Sequence, residues 1–131
     1  MKSLTKITLA SLMMMFITVQ TFAGDDPNSK LVEKAKKAVE EAESNDWETL
    51  AQSAEICFIK KENLEQAVQW INKSIEIKET TYNLEVQGDY LSSIGKRKEA
   101  KSAYYKAILI AKESEFDANT GRLQKKLWKL R

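Results

Sequence analysis

A chain of 131 residues with 31% charged and 43% hydrophobic side chains, four glycines and one proline has the balance of an ordinary folded domain, not of a disordered one. Histidine is missing, which removes the commonest general base and the commonest metal ligand, and the lone Cys57 excludes both a cysteine-rich metal site and an internal disulfide. The formal charge of +2 conceals a strong unevenness along the chain.

Residues 1–23 read as a secretory signal peptide. Lys2 and Lys6 give a positive start, and Ile7 to Val19 is an uncharged, mostly apolar run of 13 residues, too short for a comfortable membrane span. Thr21-Phe22-Ala23 then places small residues at the two positions a signal peptidase reads. The expectation is export and cleavage after Ala23, with the mature protein periplasmic or extracellular; retention as an uncleaved anchor is the alternative. No cysteine follows the apolar run, so a bacterial lipoprotein anchor is not expected.

Loss of Lys2 and Lys6 leaves 19 basic and 19 acidic residues, a formal net charge of 0. The whole-chain pI of 8.6 is therefore no argument for a nucleic-acid partner, and none is expected. Residues 24–95 hold 8 Lys/Arg against 15 Asp/Glu, whereas residues 96–131 hold 11 against 4. This asymmetry fits two solvated faces of opposite bias, or a dipole that steers a partner or aligns copies head to tail.

Residues 24–29 form a short polar lead, and a helical domain is expected over 30–131. Ser29 is the expected cap of a helix from Lys30, with Leu31, Ala35, Ala38, Val39 and Ala42 on one face. Its spacing is that of the second helix of a pair whose first is missing. Ser44-Asn45-Asp46 ends it, and Asn45 with Glu48 predicts the cap of the next helix. That helix buries Trp47, Leu50, Ala51, Ala54 and Phe58, with Ile56 and Ile59 outside the stripe. Glu62-Asn63 makes a turn, with Asn63 as cap and Gln66 three residues on. Leu64, Ala67, Val68, Ile71 and Ile75 form the following stripe, which Thr80-Thr81 interrupts.

The stretch Tyr82 to Lys112 carries the clearest pattern. Leu84, Gly88 and Leu91 stand on one helical face, Gly95 begins a tight turn, and Ala100, Ala103, Tyr104, Ala107 and Ile108 form a second face. Gly88 in a helix interior costs roughly 1 kcal/mol against alanine, which points to close approach of the partner helix. Ser114 with Asp117 predicts the start of a last helix, lined by Phe116, Thr120, Leu123, Leu127 and Leu130 and covered elsewhere by Lys125, Lys126, Lys129 and Arg131. No segment alternates with period two, so no strand is expected.

Ala67, Ile71, Ser74 and Ile75 repeat the spacing of Ala100, Tyr104, Ala107 and Ile108 at an offset of 33 residues. In the helix before them Ala51, Ala54 and Phe58 hold the packing places, with Glu55 standing where Gly88 stands. These residues resemble the tetratricopeptide repeat (TPR), whose period is about 34 residues. Leu84 and Leu91 replace its usual Trp and Tyr, and Lys112 stands near its closing Pro. The resemblance covers Trp47 to Glu113, as repeats over 47–80 and 81–113, with a lid helix over 114–131. It implies an all-α fold of antiparallel helix pairs stacked as a short right-handed solenoid. It also implies a non-catalytic scaffold or adaptor for protein–protein interaction, in the cell envelope or the secreted space.

No residue is singled out as catalytic, metal-binding or cofactor-binding, no cofactor is expected, and the chain is read as no enzyme. Carboxylates such as Glu33 sit among lysines such as Lys37 at helical spacing, as surface pairs do, and no Gly-rich phosphate loop occurs. Cys57 lies beside the Ala54 and Phe58 stripe; it reads as a buried inert thiol or, alternatively, as an intermolecular disulfide in an oxidising compartment. In the TPR family the ligand lies along the inner faces of successive first helices. The resemblance places Gln52, Ile56, Ile59, Tyr82, Glu85 and Asp89 on that face, with Arg122 and Lys125 closing one end. The family's carboxylate-gripping Lys and Asn set is not matched. The expected partner is thus a protein or peptide segment with an apolar residue near Ile56 and a basic one near Glu85 and Asp89. A second reading, from another class, is a peripheral membrane protein using its basic C-terminal LQKKLWKLR, where Trp128 lies off the leucine stripe.

Overall fold

The computed structural model describes residues 26–131; the expected signal peptide, its cleavage site and residues 24 and 25 lie outside the described residues. Six helices make up the described chain: α1 (Pro27–Glu41), α2 (Trp47–Lys60), α3 (Leu64–Ile77), α4 (Thr81–Ser93), α5 (Arg97–Ser114) and α6 (Gly121–Lys129). Among the described residues there is no strand, and no helix is long and apolar enough to cross a membrane.

Local chemistry sets the helix boundaries, and several differ from the expected ones. α1 begins at Pro27 rather than Lys30, because the fixed φ of proline suits a first helical position and its missing N–H is not needed there. Its core face is Val32, Ala35 and Val39; Leu31 and Ala38 point outward. Asp46, not Asn45, caps α2: its carboxylate accepts from the Thr49 amide at 2.9 Å and from the Thr49 hydroxyl at 2.7 Å. Those bonds hold the Asp46 carboxyl below its ordinary pKa. Thr80 and Asn83 form a reciprocal capping box at α4. α5 runs on to Ser114, so the last helix opens at Gly121 instead of near Ser114. Phe116, expected on the core side, lies in the connecting loop and is 87% exposed.

The two central hairpins repeat each other down to single hydrogen bonds. α2 and α4 open 34 residues apart, at Trp47 and Thr81. In the first turn the Lys61 amide donates to the Phe58 carbonyl and the Glu62 amide to that of Cys57; in the second, Gly95 donates to Ser92 and Lys96 to Leu91. Lys61 and Gly95 both take left-handed backbone, at φ 57° and 80°. The first turn then spends one more residue, Asn63 at φ 55°, which shortens the offset to 33 for α3 and α5. This corrects the alignment of the first helices. Ala54, fully buried, stands where Gly88 stands, and Glu55 stands where Asp89 stands.

Packing is sequential. Each helix lies against the next, and α4 also touches α2 and α3, so the α2–α3 and α4–α5 hairpins stack. One core gathers Val32, Leu50, Ala54, Cys57, Trp70, Ile71 and Val86; the other gathers Leu84, Ala100, Tyr104, Ala107 and Leu123, and Ile75 packs against both. Trp70, not named in the expected α3 stripe, is buried in the first core, three residues after Ala67 and four before Ser74 on the same helical face. Between the hairpins the fully buried Asn83 donates to Ser74 Oγ at 3.0 Å and to the Lys78 carbonyl at 2.8 Å, while Ser74 donates to the Trp47 carbonyl at 2.6 Å. An unmet partner here would cost about 1–3 kcal/mol, so this chain of bonds fixes how the hairpins meet.

Candidate functional site

Glu55 and Asp89 are the structural core of the candidate site. They occupy equivalent places on α2 and α4, and each carboxylate accepts a tyrosine hydroxyl: Tyr82 to Glu55 at 2.6 Å and Tyr104 to Asp89 at 2.7 Å. Burial, then the hydrogen bond to a carboxylate, holds both phenols well above their ordinary pKa. Phe58 and Tyr90 stack between the same two helices, ring centroids 4.2 Å apart and 15° from parallel. Ile59, 67% exposed, rims the pocket these residues enclose with Val86 and Ser93.

A second concavity continues the first, sharing Glu55, Val86 and Asp89 and adding Tyr82, Glu85, Arg122 and Lys126. Here α6 reaches across to α4. Glu85 is only 5% exposed and meets the Arg122 guanidinium and the Lys126 ammonium, each at 2.7 Å. Lys126 also donates to both Asp89 oxygens, at 2.7 and 2.6 Å. Burial pulls the Lys126 pKa down, but hydrogen bonds and charge from Asp89 and Glu85 outweigh it and leave it raised. A carboxylate buried without partners would cost several kcal/mol, so Glu85 tolerates burial because α6 brings two cations to it.

The expected partner-facing residues are therefore only partly brought together. Ile59, Tyr82 and Asp89 border the groove. Ile56 packs half-buried against the first core, and Gln52 is exposed, donating to Glu48 at 3.2 Å. Glu85 lies at the groove floor, but its charge is met from within the chain and it is not open to a partner. Lys125 is exposed while its neighbour Lys126 makes the contacts, so Lys126 with Arg122 closes that end. Glu55, Phe58 and Tyr90 are not among the expected site residues, because the extra turn residue Asn63 masks the 34-residue relation between Glu55 and Asp89.

The two concavities measure about 210 and 200 Å³, each below the roughly 300–1,000 Å³ of drug-sized ligand sites. Such a groove suits single side chains of a longer segment. Among the described residues no group of His, Cys, Asp and Glu could hold a metal ion. Comparison of the chain with family models, with curated proteins and with solved structures finds no match.

Proposed function

We propose that this chain is an exported, non-catalytic interaction module of tetratricopeptide type, holding a segment of a protein partner in the groove between α2 and α4. The observation that carries this reading is the repetition of Glu55 and Asp89 at one period of the repeat, on either side of the Phe58–Tyr90 stack. Each step of the groove thus sets a carboxylate beside an apolar surface; Asp89 is paired with Lys126, and Glu55 is the one left to a partner's cation. The chemistry the groove fits is a segment with Lys or Arg next to a Leu or aromatic residue, the cation meeting Glu55, since Lys126 already holds both oxygens of Asp89. Glu85 takes no part in this capture, because Arg122 and Lys126 already neutralise it.

Fluorescence anisotropy against labelled peptides of that pattern tests the reading. Ile59→Lys with Glu55→Gln changes the groove lining and leaves the core clusters intact. It should weaken binding at least tenfold, about 1.4 kcal/mol; equal affinity in the variant would move the site off the groove. The export component is tested by intact-mass analysis of the protein recovered outside the cytoplasm. A species beginning at Gly24 is expected, and one still beginning at Met1 would overturn cleavage.

A further inference from the structure

Consecutive helices pack on each other through short connections and therefore run antiparallel, so the turns fall at two opposite ends of the stack. One end gathers the N-terminus of α1, the α2–α3 turn, the α4–α5 turn and the C-terminus of α6. Two juxtapositions fix this. Ile59 near the end of α2 shares a pocket with Ser93 at the end of α4, and Lys101 in the first half of α5 shares one with Trp128 and Arg131. The exposed cations Lys61, Lys96, Arg97, Lys98, Lys129 and Arg131 all belong to this end, against the carboxylates of Asp26, Glu62, Glu65 and Glu99. The opposite end holds Glu40, Glu41 and Glu43 around the end of α1 and Glu113, Glu115 and Asp117 around the end of α5, against the cations Lys78, Lys112 and Arg122. The charge asymmetry is thus a polarity along the helix axes, not merely a division between halves of the chain.

The basic end also carries large exposed apolar side chains. Ile94 at the α4–α5 turn is 47% exposed, and Trp128 is 63% exposed with the Arg131 guanidinium stacked 3.5 Å from its ring centre. We propose that this end docks on an anionic lipid surface, its cations against headgroups and Trp128 and Ile94 at the polar–apolar boundary. Cations alone would suit any polyanion; Trp at that boundary is what selects a lipid interface. The contact is made by helix ends and turns. α6 does not lie down on the membrane, because Leu123 is buried and Leu127 and Leu130 pack against the second core.

The test is co-sedimentation of the protein, as isolated from the producing cell, with vesicles of phosphatidylcholine alone and of equal parts phosphatidylcholine and phosphatidylglycerol. Binding to the anionic vesicles only, weakened by salt, is expected, with a blue shift of tryptophan emission that is lost in Trp128→Ala. Lys98→Glu with Arg131→Glu should cut binding at least tenfold at unchanged helicity. No binding to anionic vesicles would overturn the proposal, as would binding equal on neutral vesicles and unmoved by the reversals. Self-association through the acidic end of a second copy, without vesicle binding, would overturn it in favour of a head-to-tail assembly.

Discussion

Gly88 of α4 lies under the ring of Tyr104 of α5, so close that a Cβ on Gly88 would stand 2.5 Å from Tyr104 Cε1 and 2.7 Å from Cδ1. The ring has little freedom to yield, since its hydroxyl is bound to Asp89. Gly88→Ala gains roughly 1 kcal/mol of helix propensity but incurs overpacking of about 1–3 kcal/mol. A net loss and a melting temperature lower by several degrees are expected in thermal denaturation. A melting temperature equal to or above wild type would show that the ring moves aside freely.

The equivalent turn residues Lys61 and Gly95 should respond in opposite senses. Both hold left-handed backbone, which disfavours a residue bearing a Cβ by roughly 1–2 kcal/mol. Lys61→Gly should raise stability by about 0.5–1 kcal/mol once the greater freedom of glycine in the unfolded chain is counted. Gly95→Ala should lower it by about 1 kcal/mol. Urea midpoints of the two variants compare them directly; movement in the same direction would break the equivalence of the turns.

Removal of the Lys126 ammonium should loosen α6. Lys126→Gln leaves Glu85 buried with Arg122 alone, at a cost of about 1–3 kcal/mol. Lys125→Gln, at an exposed neighbour, should change stability by less than about 0.5 kcal/mol. Limited proteolysis in the exposed loop over 115–119 reads the difference. Similar cleavage in the two variants would mean that the ion pairs do not hold the helix.

Stability should fall at alkaline pH from three groups acting in one direction. Tyr82, Tyr104 and Lys126 all have raised folded pKa values, so each favours the folded state while protonated. Their contribution is complete below the ordinary values of 10.0 for Tyr and 10.5 for Lys, and is lost as pH rises through the folded values. Denaturation midpoints should therefore drop steeply above pH 10. Tyr82→Phe should flatten that drop, and an unaltered slope would place the alkaline sensitivity elsewhere.

Cys57 is fully buried, and burial pushes its thiol pKa up. Alkylation should be slow in the folded protein and fast in denaturant, and a non-reducing gel should show monomer. A disulfide-linked dimer would require the core around Cys57 to open.

By itself the sequence determined a chain of helices, because the 3.6-residue periodicity of its apolar positions leaves no room for strands. It also disclosed the close pairing of Gly88 with the following helix, since a glycine inside a helix needs a packing reason. Helix starts were less legible. Asn45 and Asp46 are both good caps, and only the meeting of Asp46 with Thr49 chose between them. Tertiary structure alone aligned the first helices. The extra left-handed residue Asn63 hides the 34-residue relation that puts Ala54 opposite Gly88 and Glu55 opposite Asp89. Packing of α6 across α4 likewise made Glu85 a buried, neutralised residue and gave Lys126, not Lys125, its partners. The polarity of the molecule was decided in the same way. Which charges share an end depends on which helix ends meet, and antiparallel packing brings Lys101 to Trp128 and Arg131 across an interval no sequence window spans.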